Sequence, residues 1–358
     1  MKMVLKRHIS LALSGGGTRA MAFHAGLLKC LAENNFLEEV KNISTVSGGS
    51  LLIGSIFKLN NYKWPSSEEY VHIIYPKLRR ELCTKNLMIE MIMHLINPIN
   101  FKYLLSRANI LSLAIQSLWG IKGSLSQLPE TPDWSINGTT AENGKRFRFK
   151  KTNIGDYDTG YSSSEGILLA DALCVSAAFP GLIGPFSLKA KNHKWLKRNW
   201  GADVGDEKEV QLSIDKLRIY DGGVYDNLGL EPFFNQSSGV VKDAIDFVIC
   251  SDAGAPLLSG VSYWHLNPWR LKRVMDIISE QARALRVRTF VNYLIRNSSS
   301  GHYININHKD NKDSLSNGNS VGRYPTTLKK FKQEDFDAIA NCGFNMMEKN
   351  LEMYPIVD

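Results

Sequence analysis

Two short segments near the start of the chain contain residues whose types and positions could carry out nucleophilic chemistry. Ser47 follows the apolar run Ile43–Val46, and the glycine run Gly15–Gly17 follows the apolar run Ile9–Leu13. A serine in a tight turn between a strand and a helix projects its hydroxyl away from the chain, where it can attack a substrate. Glycines in a second turn of this kind let backbone N–H groups converge on a negative charge. These segments therefore predict a nucleophile and an oxyanion hole, two parts that acyl transfer requires.

The candidate oxyanion donors are backbone N–H groups. A tetrahedral intermediate needs two or more such donors at hydrogen-bonding distance. Gly15, Gly16 and Gly17 can offer theirs because no Cβ atom blocks the approach. The N–H of Gly48, directly after the nucleophile, is a further candidate.

A candidate for the missing base comes much later in the chain. Asp221 follows the strand-like run Leu217–Tyr220 and precedes Gly222 and Gly223. A serine hydroxyl is a poor nucleophile at its usual pKa, so a neighbouring base must take its proton during attack. Turn statistics alone explain an aspartate before two glycines equally well as a turn residue. The sequence cannot show whether Asp221 contacts Ser47.

The order of these motifs resembles that of the patatin-like phospholipase family. Gly-Gly-Gly-x-Arg ending at Arg19, an elbow serine and Asp-Gly-Gly occur in the family's order. The segment Val175–Pro180 is similar to the family's segment before the acid, and the tail from Thr326 onward is similar to its C-terminal helix. The resemblance implies a three-layer α/β/α fold with a largely parallel central sheet. It also implies a single domain over residues 5–351.

The resemblance implies a serine acyl hydrolase that cleaves fatty acyl esters of membrane glycerophospholipids, a phospholipase A. Family members are thought to use a Ser-Asp dyad, so Asp221 would deprotonate Ser47 directly. Arg19 would brace the glycine loop or contact a phosphate, and Gly222 and Gly223 would support the turn after the acid. No cofactor or metal is implied, and no His-Glu-x-x-His or similar ligand spacing occurs in the sequence.

Two positions depart from the family pattern. Thr45 stands where the elbow usually has its first glycine, and Ala20 stands where a glycine usually follows the arginine. Threonine is bulkier than glycine but suits a strand, and alanine is small enough for close helix packing. These departures leave open an alternative, namely a catalytically weak or inactive regulatory protein that binds a membrane or a nucleotide. The glycine loop lacks the Lys-Ser/Thr ending of a P-loop, which disfavours the nucleotide.

The histidines offer an alternative base. His24 lies one turn beyond the glycine loop and could be a third catalytic residue, although a packed structural histidine is the simpler interpretation. His193, His265, His302 and His308 lie in polar surroundings, and we expect them on the surface.

Apolar spacing indicates how these motifs are positioned. Met21, Ala25, Leu28 and Ala32 recur at helical spacing after the glycine loop. Alternating strands and helices imply parallel strands covered on both faces, and such sheets place their sites at the carboxyl ends of strands. Residues 65–120 predict a helical insertion, either a cap over the site or a layer of the core, since periodicity cannot distinguish the two.

Charge and cysteine content indicate the partners and the compartment. The net charge of +8 favours an anionic partner. Basic residues at 189–198 interleave with Trp195 and Trp200, which predicts a segment at a membrane interface or, equally, a solvated loop with two partly packed tryptophans. With the motifs, this charge points to a phospholipid membrane and not to a nucleic acid polymer. A small-molecule or protein activator and the oligomeric state are left open.

Five scattered cysteines without Cys-x-x-Cys spacing argue against a disulfide framework and against structural zinc. The chain has no 18-residue apolar stretch, so we expect no membrane-spanning helix. The basic N-terminus imitates a signal peptide, but its apolar run is too short. We therefore expect a cytoplasmic protein that associates peripherally with the membrane.

Overall fold

The computed structural model describes residues 7–104, 106–180, 183–199, 201–203, 205–257, 269–308 and 314–356. His265, Trp200 and the first two residues of the predicted domain lie outside this part of the chain. The strands are β1 (Ile9–Leu13), β2 (Val40–Thr45), β3 (Asp133–Thr140), β4 (Arg146–Phe149), β5 (Asn153–Asp156), β6 (Gly160–Ser163), β7 (Phe186–Lys189), β8 (Trp195–Lys197), β9 (Lys208–Val210), β10 (Lys216–Asp221), β11 (Phe234–Asn235), β12 (Val240–Val241), β13 (Phe247–Asp252) and β14 (Gly301–Asn305). The α-helices are α1 (Gly17–Glu33), α2 (Gly48–Leu59), α3 (Ser67–Glu69), α4 (Tyr75–Thr84), α5 (Leu87–Ile96), α6 (Arg107–Ala114), α7 (Leu169–Ser176), α8 (Gly223–Asp226), α9 (Trp269–Arg296) and α10 (Gln333–Met353).

A mixed sheet of twelve strands organises the described residues. Strands β14, β13, β1, β2 and β3 are neighbours in that order and mutually parallel, with β14 at the edge of the sheet. From β3 the sheet continues through antiparallel strands to β9. Mostly parallel central strands flanked by helices confirm the predicted α/β/α class.

Alternating side chains of the central strands supply the two apolar layers. Leu11 and Leu13 of β1 face the core that contains α1, α2 and α10. Ala12 faces a second cluster, to which Phe290 of α9 belongs. Successive strand residues point to opposite faces, so a parallel strand covered on both sides is buried throughout, as β1 is, and is mostly apolar.

The long strand β3 positions two other strands end to end. Its first half pairs in parallel with β2, so that Thr45 lies beside Ile136. Its second half pairs with β10 in the antiparallel sense, so that Asp221 lies beside Gly138. The carboxyl ends of β2 and β10 therefore face each other across two residues of β3, about 7 Å at the usual rise of a strand. The turns that follow these two strands meet at this point.

The predicted insertion at 65–120 is mostly helical. Helix α3 continues through a π-helical segment, Tyr70–Ile74, into α4. The Tyr70 hydroxyl donates to the Ala25 carbonyl of α1 at 3.0 Å, and Ile74 and Leu78 are buried in the main core. This part is a core layer, whereas α5 exposes much of its surface. That the region forms a cap stays a prediction.

Two expectations about side-chain exposure are wrong. Trp195 is buried against Phe147, with its indole N–H donating to the Ala190 carbonyl at 3.0 Å. His302 is buried against Phe247 because β14 pairs directly with β13 in the central sheet. Three of the basic residues near Trp195 form ion pairs: Lys191 with Asp215, Lys194 with Glu209 and Lys197 with Asp158.

Candidate active site

Ser47 occupies a strained turn between β2 and α2. Its φ of 50° and ψ of −117° lie in a region that residues other than glycine rarely adopt. Such a turn is typical of a nucleophile elbow and leaves the serine hydroxyl outside the strand. The next residue must be glycine, because a Cβ atom at Gly48 would lie 2.1 Å from the Gly17 carbonyl oxygen. The elbow therefore packs directly against the glycine loop.

The structure brings Asp221 to Ser47. The Asp221 side chain is 3% exposed, and its carboxylate accepts a hydrogen bond from the Gly223 N–H at 2.7 Å. Burial raises the pKa of the Asp221 carboxyl to about 7, against the opposing effect of the Gly223 N–H and of the nearby Ser47 hydroxyl. A carboxylate with this pKa can accept a proton near neutral pH. The pair has the chemistry of a nucleophile and its general base.

A chain of hydroxyl groups that sequence reasoning missed supports the elbow. The Ser47 N–H donates to Ser176 Oγ at 2.9 Å, Ser176 Oγ lies 2.8 Å from Ser50 Oγ, and Ser50 Oγ lies 2.7 Å from Thr45 Oγ1. Thr45 also accepts a hydrogen bond from the Trp134 indole at 2.9 Å. Ser176 lies in the segment 175–180, which the sequence analysis identified by resemblance, but only the fold shows that Ser176 binds the Ser47 N–H. Thr45, the departure from the family pattern, thus contributes a hydroxyl to the support of the elbow.

The glycine loop offers a narrower set of oxyanion donors than predicted. The Gly15 N–H donates to the Asn227 carbonyl at 3.1 Å, which removes it as a free donor. The N–H groups of Gly16, Gly17 and Gly48 have no acceptor within the described part of the chain. Gly16 and Gly17 have φ values of 148° and 62°, so the loop requires glycine there. These three N–H groups lie at the N-terminal ends of α1 and α2, where the helix dipoles favour negative charge.

Arg19 holds the glycine loop from behind. Its side chain is buried, and its guanidinium donates to the carbonyl oxygens of Ala253, at 3.0 Å through Nε, and of Tyr324 through Nη1. The next-door Thr18 N–H donates to the Thr327 carbonyl at 2.9 Å. These contacts favour the bracing interpretation of Arg19 over contact with a phosphate.

His24 is fully buried and uses both ring nitrogens. Nε2 lies 3.0 Å from the Ser14 carbonyl, so it must carry the proton, and Nδ1 lies 2.8 Å from the Ser251 hydroxyl, which donates to it. Burial lowers the pKa of His24 to about 4, so the ring stays neutral at pH 7. His24 therefore fixes the loop to β13, and this arrangement disfavours it as the catalytic base.

Comparison with known proteins gives a family match and several similar folds. The sequence model described as "patatin-like phospholipase" matches residues 11–234. Human GIVD cytosolic phospholipase A2 has a similar structure, with a TM-score of 0.52, 14% identity, and coverage of 97% of this chain and 59% of that chain. Its complex with methyl gamma-linolenyl fluorophosphonate and terbium chloride gives a TM-score of 0.52 and 13% identity, with 97% and 58% covered.

VipD from Legionella pneumophila gives a TM-score of 0.42 at 14% identity, with 98% of this chain and 67% of that chain covered. No curated protein sequence matches the chain. The chain spans less than two thirds of the human phospholipase chain, and at these identities the structural similarity concerns the fold.

Proposed function

We propose, on the premise that this chain belongs to the patatin-like phospholipase family, that it is a serine acyl hydrolase of membrane glycerophospholipids. The observation that carries the proposal is the meeting of the strained Ser47 turn with the buried Asp221 carboxyl. Family membership supports lipid hydrolysis, and the site supports the acyl ester as the bond that is cleaved. Cleavage of that bond makes the protein a phospholipase A.

Each step of the proposed reaction uses groups of the site. The Asp221 carboxylate takes the Ser47 proton as Oγ attacks the acyl carbonyl carbon, and the oxyanion accepts hydrogen bonds from the N–H groups of Gly16, Gly17 and Gly48. Asp221 then gives its proton to the departing lysophospholipid alcohol, which leaves an acyl ester on Ser47. Water, deprotonated by Asp221, attacks this ester, releases the fatty acid and restores the serine.

The pKa of Asp221 predicts how activity depends on pH. The base works only when ionised, so kcat/KM should rise about tenfold per pH unit up to about pH 7 and level off above it. Initial rates on a soluble short-chain ester between pH 5 and 9 measure this profile. A rate that stays constant from pH 5 to pH 9, as an aspartate with its ordinary pKa near 4 would give, would contradict the role assigned to the buried carboxyl.

We expect hydrolysis to need no metal ion. Among the described residues, no group of three or more His, Cys, Asp or Glu side chains could hold one. Vesicles of phosphatidylcholine and phosphatidylglycerol should release fatty acid at the same initial rate in EDTA as in millimolar calcium. Loss of activity in EDTA with recovery on added calcium would refute the metal-free mechanism, and release of phosphorylated headgroups in place of fatty acid would refute acyl cleavage.

The proposed substrate places the protein at a bilayer surface. Within the described residues, no helix is long and apolar enough to cross a membrane. From the nature of the substrate, we propose peripheral association from the cytoplasmic side, through a surface of the folded domain.

A further inference from the structure

Helix α5 turns an apolar face toward solvent. Four large apolar side chains at positions i, i+3, i+4 and i+7 lie on one side of this helix and are 47–60% exposed: Ile89, Ile92, Met93 and Ile96. Leu87 and Met91, on the opposite side, are buried. A helix of a folded domain normally turns such a face to the core. In α5 the opposite side, with Leu87 and Met91, packs against the core, so the apolar face remains in solvent.

The exposed face continues into the next segment. Ile99, Phe101 and Leu104, in and just after the 3₁₀ segment Pro98–Tyr103, are also exposed. We call these three residues and the four of α5 the apolar surface. Exposed apolar surface of this extent marks an interaction site.

The helix that carries the apolar surface is tied to the segment that holds the start of α1. The Thr327 carbonyl accepts a hydrogen bond from the N–H of Thr18, the residue after the glycine loop, at 2.9 Å, and the Leu328 carbonyl accepts one from the Met88 N–H in α5 at 3.2 Å. Two adjacent residues of one segment therefore bind the start of α1 and the first turn of α5.

Positively charged side chains lie near both ends of the apolar surface, and one of them, Lys102, also contacts the Tyr103 ring. Lys102 and Arg107 flank its C-terminal end, and Lys329 and Lys330 follow Leu328 beside its start; all four are exposed. None of them forms an ion pair with another described residue. Glu90, the acidic residue of α5, is occupied by Ser117 and His94. An apolar centre with a cationic rim suits the surface of an anionic bilayer, whereas protein interfaces are poor in lysine.

We propose that the apolar surface inserts into the headgroup and acyl boundary of an anionic bilayer, with the four cations resting on the lipid headgroups. The proposal rests on the proposed function for its choice of a bilayer as the partner. In this proposal the apolar surface, and not the basic segment 189–198, makes the main contact with the membrane. Trp195 of that segment is buried, and three of its lysines are ion-paired.

The test measures binding without hydrolysis. In the full chain carrying Ser47→Ala, Ile99→Glu is compared with Ile295→Glu, because these two isoleucines are 76% and 75% exposed. With vesicles of equal phosphatidylglycerol and phosphatidylcholine, Ile99→Glu should lower the partition coefficient about tenfold or more. Ile295→Glu should leave it within twofold of the parent. Vesicle binding by the Ser47→Ala chain is measured without hydrolysis. The comparison therefore tests membrane contact independently of whether the chain is a hydrolase.

A second measurement locates the contact without depending on a charged substitution. Ile99→Cys and Ile295→Cys, each labelled with the fluorophore NBD, report whether the position enters an apolar medium; the chain's own five cysteines are buried. Emission should rise on anionic vesicles for position 99 and stay constant for position 295. Equal responses at both positions, or undiminished vesicle binding by Ile99→Glu, would overturn the proposal.

Two further outcomes bear on the kind of partner. Equal partition onto pure phosphatidylcholine vesicles at low salt would overturn the role of the cationic rim. If Ile99→Glu converts a dimer into a monomer in light scattering and vesicle binding is unaffected, the apolar surface is an interface between copies of the chain, and the membrane proposal is wrong.

Discussion

Replacing Ser47 with alanine should lower kcat on phospholipid vesicles and on soluble esters by a factor of about 10⁴ or more. The loss is this large because the hydroxyl forms the covalent intermediate, and its elbow positions it for attack. Initial rates of fatty acid release measure it. A fluorophosphonate probe, which phosphonylates a serine Oγ with loss of fluoride, should label the wild-type chain and fail to label Ser47→Ala.

Ser55→Ala is the matched control. Ser55 lies in the same helix α2, is buried, and donates only to the Leu51 carbonyl one turn earlier. Its loss should leave labelling and turnover nearly unchanged. Activity of Ser47→Ala above about 1% of wild type would show that another residue is the nucleophile.

Asp221→Asn should remove activity to a similar extent as Ser47→Ala, and the double variant should be no worse than either single variant. Asparagine keeps the shape of the side chain but cannot take the serine proton at neutral pH. Two residues that act as one unit give such non-additive losses. Strong activity in Asp221→Asn would move the base elsewhere, and His24 is a poor candidate because both its nitrogens are already bonded.

The same variant should be more stable than wild type above pH 7. The pKa of Asp221 is raised to about 7 in the folded chain, so folding favours the protonated acid. The contribution of Asp221 to the free energy of unfolding is therefore fully present below its unfolded pKa near 4. It falls as pH rises and levels off above about pH 7. Asparagine does not ionise, so Asp221→Asn does not lose this stability. At pH 8 its free energy of unfolding should exceed that of wild type by at most about 4 kcal/mol. Urea denaturation at pH 4 and pH 8 checks the sign, and an equal difference at both values would contradict it.

Local motifs predicted much of the site because the conformations they need are local. Gly16 and Gly17 adopt positive φ, and the apolar runs before the glycine loop and before Ser47 form β1 and β2. Parallel strands follow from such alternation of strands and helices. The meeting of Ser47 with Asp221 could not be predicted from these runs, because it depends on the register of β3 with β2 and β10.

Exposure was harder to predict than secondary structure. The residues around Trp195 are basic, but β8 alternates, so that Trp195 points inward while Leu196 points outward. For α5, periodicity defines an apolar face without showing what covers it. The hydroxyl chain from Thr45 to Ser176 joins residues that are distant in the sequence, and no single-sequence signal shows such pairings.

The end-to-end arrangement of β2 and β10 on β3 has a consequence for folding kinetics. The nucleophile and the glycine loop belong to the first 50 residues, but the base, Asp221, is at the end of β10, which comes much later in the sequence and pairs with β3. Strand β1 in turn needs β13 as its second neighbour. Contacts so distant in sequence close slowly, because loop-closure entropy is lost before they form. Recovery of esterase activity should therefore lag behind recovery of helical circular dichroism during refolding, so a nascent chain would not expose a working catalytic pair before most of the domain has been synthesised.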